Sequence, residues 1–320
     1  MLSVSFAGPS ALPLDPTVLA CIQCGRDGAV SADPRIIRIG VNGLGDCPDE
    51  LWRGATPASS GTRNGFSFAS NGEHLFGHRR VAERELDDIA AATHLLYTEL
   101  NAFLKLQGFP WLLRSWNYIH DIHRGDGDGE RYKQFCLGRH QAVAAVPGYE
   151  RALPAATVIG TPEPGMLIFF LAGKVPGQQV ENPRQTPAFR YPREYGPASP
   201  SFSRATLLPS ERLLLMSGTA SVVGHATRHP HDSKGQLDEM LTNVQALLRH
   251  TSDHHASGAT WSARVLRVFL RDRADLLLAQ ARTEQVLGPD APLIFMEGDI
   301  CRTDLRLEIE GVFSAAGISR

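Results

Sequence analysis

At 320 residues the chain is longer than most single domains; 42% of it is hydrophobic, 21% is charged, and its formal net charge is −2. The length predicts about two domains, each large enough to bury a core of its own. With no basic cluster and a longest apolar run of only Met166 to Ala172, the sequence excludes nucleic acid, an anionic membrane surface and a spanning helix, and predicts a soluble protein with a small, locally recognised ligand.

The first nine residues, Met1 to Pro9, place no basic stretch ahead of a hydrophobic one, so they do not read as a secretory signal and a cytoplasmic protein is expected. Five cysteines, an odd number, argue against a disulfide scaffold. Cys21 and Cys24 with Cys47 lack the second pair that a structural zinc site needs, so no metal is expected there.

A weak internal repeat then organises the chain, with matching elements roughly 140 to 150 residues apart. Asn71 to His78 and Ser217 to His225 read as strands, each followed by a long loop. Two helices come next: Leu86, Ile89 and Thr93 in one half, and Leu237, Met240 and Val244 in the other, fall on one helical face that must be core. The β-rich segments Trp111 to Ile119 and Ala263 to Leu270 follow. Second helices are predicted over Glu130 to Val146 and Asp275 to Val286, with Gly148 and Gly288 as terminators. Two strands close each unit. The order strand, helix, strand, helix, strand, strand predicts an α+β layer, a mixed sheet with both helices on one face.

Setting the closing strands side by side puts Phe170 where Glu308 stands. An all-apolar strand offers no acid, so residues 1–178 are expected to form an N-terminal structural domain and residues 179–320 a C-terminal catalytic domain. Between the halves, Glu181 to Arg204 is dense in proline, arginine and tyrosine. Prolines fix φ, so an ordered loop is expected, and its guanidinium and phenol groups suit carboxylates. A solvated interdomain linker is the other reading of the same segment.

The closing strand Leu305 to Gly311 alternates. Leu305, Leu307 and Ile309 share a buried face, while Arg306, Glu308 and Glu310 share the other. If that polar face lines a closed cleft, desolvation raises the carboxyl toward a value useful for proton transfer; if it lies on an edge strand, it is simply solvated. Cys301 sits just ahead. Among other candidates, His225, His229, His231, His254 and His255 lack carboxylate spacing for a metal site. Asp126 to Glu130 lacks the full calcium-loop pattern and reads as a turn.

Several of these segments together resemble the chorismatase family, whose members split chorismate into pyruvate and a ring acid. The motifs are Asn182-Pro-Arg-Gln185, Arg190-Tyr-Pro-Arg193 with Tyr195-Gly-Pro, Ser199-Pro-Ser-Phe202 with Arg204, Ser217-Gly-Thr-Ala-Ser221, and Glu297-Gly-Asp-Ile-Cys-Arg302 running on to Glu308. They span residues 181 to 311; the first half shows the layout with fewer diagnostic residues. The resemblance implies two tandem reactive-intermediate-deaminase-like (chorismate mutase-like) units, a superfamily that assembles as trimers with clefts between units, so a homotrimer is one expectation.

The resemblance also implies roles. Glu308 matches the family's acid/base residue. Cys301 matches a position where cysteine accompanies 3-hydroxybenzoate formation and a small inert residue accompanies a dihydroxycyclohexadiene acid. Ala220, where some 3-hydroxybenzoate formers carry glycine, leaves open a branch that also makes 4-hydroxybenzoate. On this reading Arg193 and Arg204, with Tyr191, Tyr195 and Gln185, hold the carboxylates of chorismate. Glu308, neutral through burial, protonates the enol-ether methylene carbon, and no cofactor is required. Cys301 shapes the ring site, with a thiol pKa depressed by Arg302. An imine deaminase of the same superfamily and a non-enzymatic ligand-binding protein are the competing readings.

Overall fold

The protein is described here from a computed structural model over residues 1–10, 12–25, 31–146, 148–256 and 258–316. Strands β1 (Ser3–Ala7), β2 (Val18–Cys24), β3 (Ile36–Ile39) and β4 (Asp49–Arg53) form a first sheet. A second unit follows with β5 (Ser59–Arg63), β6 (Phe66–Ser70), β7 (His74–Val81), α1 (Ile89–Gln107), β8 (Trp111–His120), α2 (Arg131–Ala144), β9 (Ala155–Thr161) and β10 (Met166–Gly173). The third contains β11 (Gln178–Val180), β12 (Ala205–Leu208), β13 (Leu213–Ala220), the small hairpin β14 (Val222–Val223) and β15 (Ala226–Thr227), α3 (Ser233–His254), β16 (Thr260–Leu270), α4 (Leu276–Leu287), β17 (Leu293–Glu297) and β18 (Leu307–Ala316). The predicted α+β units with paired helices are present in both halves. No described helix is long and apolar enough to cross a membrane.

The helices begin and end where local chemistry dictates. Asp88 caps α1 by accepting the Ala91 amide at 2.9 Å, and Gly108 ends it at φ 79°, where a side chain would be strained. Asp232 does the same for α3 through the Gly235 amide. Ile89, Thr93, Leu96, Leu100 and Phe103 make the buried stripe of α1, and Leu237, Met240, Val244 and Leu247 that of α3. Leu86, expected within the first helix, is buried just ahead of it.

Sheet order reveals a third unit that sequence periodicity did not disclose. In the third unit β13 and β16 flank β18 antiparallel while β17 runs parallel to β16; β7, β10, β8 and β9 repeat this pattern, and so do β1, β4, β2 and β3, with no helix among the described residues of that unit. Each helix-bearing sheet packs one face on its own helices, giving two separate apolar cores. The other faces of all three sheets meet in a common core that joins Trp52, Trp116, Phe169, Phe269 and Val312. One chain thus places three sheets around a shared axis, with seams between neighbours.

The structure corrects the predicted register of the repeat. The turn bonds His120 N–H to Gly165 O and Arg271 N–H to Arg306 O are equivalent, so Leu167, not Phe170, occupies the position of Glu308. An odd slip of three residues exchanges the faces of a strand. Phe170 accordingly packs on the helix side with Phe66 and Phe103, while Leu167 faces the common core. The closing strand also begins later than expected, at Leu307. Arg306 lies outside it, turned to Ser233, Asp272 and Asp275, so it is not the cation beside Glu308. In the first sheet Cys24 and Cys47 form a disulfide, where the odd cysteine count had argued against a disulfide scaffold; Cys21, Cys136 and Cys301 are free.

Candidate active site

The seam between the second and third units is fastened by β9 and a bulge in β13. Pairing of β13 with β18 slips between Met216 and Thr219, which turns Ser217 and Gly218 toward β9. The Ala156 amide donates to Ser217 Oγ at 2.9 Å, the Gly218 amide donates to Thr157 Oγ1 at 3.0 Å, and Ala155 N–H reaches Thr206 Oγ1 at 2.8 Å. Beside these bonds opens a cleft of roughly 340 Å³ lined from both units. Cross-unit placement of this kind suits a small ligand.

Glu308 stands at its floor, only 5% exposed. Among the described residues no cation lies within ion-pair distance of it. Burial, reinforced by the neighbouring Glu310 and only partly opposed by Arg114 and Arg204, raises its carboxyl to about 8. Gly218 leaves the room it occupies: a Cβ there would sit 2.0 Å from Glu308 Oε1. Ala220, 6% exposed, is its cross-strand partner on β13 and also lines the cleft.

The segment 181–204 is an ordered wall carrying two 3-10 turns, at Ala188–Arg190 and Arg193–Tyr195. Its arginines divide. Arg204, 4% exposed, lines the cleft between the rings of Tyr191 and Phe202, and its Nη2 donates to Tyr191 Oη at 2.7 Å and Thr186 O at 2.9 Å. Its buried Nε has no partner among the described residues. Arg193, expected to clamp substrate, is directed outward and forms an exposed bidentate pair with Asp128. The 3-10 turn sets successive side chains about 120° apart, so with Tyr195 turned inward Arg193 faces solvent. Arg184 is held by Glu239 and Asn243.

The second cation is Arg302. Its guanidinium lies 4.1 Å from the ring centre of Tyr195 and 5.2 Å from that of Tyr191, and it donates to Thr227 Oγ1 at 3.2 Å. Gln185 completes the wall: its Nε2 donates to Val222 O at 3.1 Å, and its buried Oε1 is unpartnered among the described residues. Tyr195 Oη is 3.1 Å from His225 Nδ1. Thus Glu308, Cys301, Gln185, Tyr191, Tyr195, Arg204, Ala220 and Arg302 are brought together, and Arg193 is not.

Cys301 lines the cleft, but its thiol departs from expectation. Burial, with the Glu308 carboxyl next, pushes it up to about 12, and Arg302 offsets only part of this. It is a neutral thiol at physiological pH, not a poised thiolate. Two residues of the second unit escaped sequence reasoning. Tyr132, half-buried on α2, lines the cleft with Cys301, and desolvation raises its hydroxyl pKa well above the usual value, with Cys136 and Cys301 adding to it. Thr157 joins both units by accepting from Gly218 and Arg114 and donating to Glu310 at 2.5 Å. Only the motif Ser217-Gly218 hinted at such a junction, since glycine in a strand marks close approach. Among the described residues no His, Cys, Asp and Glu cluster is arranged for a metal ion.

The chain as a whole has counterparts among known proteins. The chain is 34% identical over 320 residues to the chorismatase of Streptomyces rapamycinicus, covering 95% of each. The chain belongs to the chorismatase family. It is also 35% identical over 276 residues to a 3-hydroxybenzoate synthase of Streptomyces hygroscopicus, covering 82% of this chain and 80% of that one. The family model for the N-terminal part of FkbO/Hyg5-like chorismatases matches residues 50–172. A chorismatase crystal structure superposes with a TM-score of 0.88 at 32% identity, covering 98% of both chains. This chorismatase-family chain therefore keeps the whole architecture, including the first sheet.

Proposed function

We propose that the protein cleaves chorismate to pyruvate and 3-hydroxybenzoate, with Glu308 as the acid. The observation that carries this reading is a carboxyl held neutral by burial on the floor of a cleft whose wall offers Arg204 and Arg302. Chorismate carries two carboxylates and an enol ether. Arg204, with its unpartnered Nε, and Arg302, stacked on two tyrosines, receive the carboxylates, while Tyr191 and Tyr195 fix the guanidinium planes.

Glu308 gives its proton to the methylene carbon of the enol ether; the ether oxygen shares its lone pair with the resulting electron-poor side-chain carbon, on the way to the keto group of pyruvate, and its bond to the ring carbon weakens. Substrate aids the step: a carboxylate on Arg204 cancels a charge that otherwise favours ionised Glu308. The oxygen of the neighbouring ring hydroxyl bonds to the ring carbon that bore the ether as that carbon's bond to the ether oxygen breaks, and pyruvate leaves with the ether oxygen as its keto group. The oxygen bridge then opens at the carbon that first held the hydroxyl, the hydroxyl proton returns to the same oxygen, and loss of one ring proton yields 3-hydroxybenzoate. Atoms balance between chorismate and the two products, so no water, oxidant or reductant is consumed. Glu308, now a carboxylate with a conjugate acid near 8, is the base that takes the ring proton. Cys301, neutral and lining the cleft with Tyr132, forms the wall against the ring and keeps water from it.

One chain completes the cleft. The second unit supplies Tyr132 and Thr157, the third supplies Glu308, and the helix-free first sheet closes the ring of three. We therefore propose a catalytically complete single chain of 34.9 kDa; sizing chromatography of active enzyme at about three times that mass would support the homotrimer instead. The function is tested by incubating purified protein with chorismate and separating the products. Equal pyruvate and 3-hydroxybenzoate support it, and the 4-hydroxybenzoate fraction reports what Ala220 permits. Intact chorismate, or ammonia released from an enamine acid, would refute it.

A further inference from the structure

Beneath the cleft lies a charge cluster that no part of the proton transfer touches. Glu310, two residues beyond Glu308 on the same face of β18, is 1% exposed. It accepts from Arg114 of β8, from Thr157 Oγ1 at 2.5 Å and from Arg267 Nη1 of β16 at 2.9 Å. Arg267 reaches on to Glu50 of β4 at 2.8 Å, and Glu50 Oε1 accepts from Trp52 Nε1 at 2.7 Å. Each of the three sheets contributes a member. Two carboxylates and two guanidiniums close as a neutral block, with no positive charge left over for a third carboxylate.

We infer that Glu310 is a positioning residue that keeps Glu308 protonated, by holding Arg114 and Arg267 in a balanced cluster that spans all three units. The inference rests on the reading of Glu308 as the acid. Fully buried like charges on one strand face cannot both ionise cheaply, and Glu310 has the cations. Arg114 Nη2 donates to Glu310 and to Thr157 Oγ1, and its guanidinium lies 4.9 Å from the ring centre of Trp116, so it is held away from Glu308. The charges that act on Glu308 are Glu310, which disfavours its ionised form, and Arg114 and Arg204, which favour it. The other titratable and charged groups of the cleft are Glu130, Tyr132 and Lys133 from the second unit, Tyr191, Glu194 and Tyr195 from the wall, and Cys301, Arg302 and Asp304 ahead of β18.

The sign follows from charge. Glu310→Gln keeps shape and acceptors but removes the negative charge, leaving the cluster with an excess positive charge that favours ionised Glu308. The alkaline limb of kcat/KM for pyruvate release should therefore move to lower pH by about one unit or more, with kcat at low pH retained. Glu50→Gln, farther away, should move it the same way by less. An infrared titration of the protonated carboxyl band, absent in Glu308→Gln, reads the same shift directly and also serves if Glu310→Gln does not fold, because Glu50→Gln then carries the test. Lowered turnover with an unmoved limb in the variants that fold would overturn the inference and assign the cluster a packing role alone. If Glu308→Gln retained wild-type turnover, the failure would lie with the acid assignment instead.

Discussion

Glu308→Gln separates the demand of chemistry from that of folding. Glu308 has a folded-state value of about 8 against an ordinary 4.5. For an acid whose pKa is raised on folding, the native state is fully favoured below the unfolded value and loses stability as pH climbs toward the folded value. Linkage over that interval gives a penalty of about 3 kcal/mol at pH 7 and nearly nothing at pH 4. Glutamine fills the same space and cannot ionise, so its desolvation cost is independent of pH. The stability of Glu308→Gln relative to wild type, measured by urea unfolding, should thus rise between about pH 5 and 8. Pyruvate release in the same variant should fall by a factor on the order of 10² or more. A stability gap that is flat across this range, or one that favours wild type increasingly at high pH, would refute a buried protonated acid.

Gly218→Ala should cost activity nearly as much as losing the acid, because its Cβ would lie 2.0 Å from Glu308 Oε1 and push the carboxyl from its place; steady-state pyruvate release on folded protein checks this. Arg204→Gln should lower kcat/KM for chorismate by roughly 30-fold, the worth of one charge-assisted hydrogen bond of about 2 kcal/mol, whereas Arg193→Gln, an exposed pair with Asp128, should stay within about twofold. Cys301→Ala should shift output from 3-hydroxybenzoate toward the hydrated, non-aromatic acid, read by chromatography of the products; unchanged 3-hydroxybenzoate would show that the thiol does not direct the outcome.

Periodicity made both helix-bearing units legible, because an amphipathic stripe such as Leu237, Met240 and Val244 repeats at a fixed spacing whatever it packs on. Alternation in the closing strand likewise exposed Glu308 and Glu310 as one face. What alternation could not show was depth: the same pattern describes a wet edge strand, and only the arrival of β9 from the other half turns that face into a cleft floor. Register was misread by three residues because Met166 to Gly173 is apolar throughout, so no slip along it is penalised by hydrophobicity. The first sheet stayed hidden for a related reason. With no helix among its described residues, it lacks the 3.6-residue signal by which its siblings are found. Arg193 and Arg204 were indistinguishable by type, and backbone turns alone send one outward to Asp128 and the other into the cleft.

The three-sheet arrangement explains why the acid sits where it does. A face that meets two other sheets is dry, and a dry face must be apolar or balanced in charge. At the β10 position equivalent to Glu308 the chain places Leu167, which asks nothing of its surroundings. At β18 it places two carboxylates beside two arginines, but Arg114 is taken by Glu310 and Arg267 is shared between Glu310 and Glu50 of the first sheet. The acid left without a cation is the one nearest the cleft. Its proton is therefore a consequence of how the three sheets divide their charges, and the reactivity of the seam depends on the helix-free sheet that does not touch it.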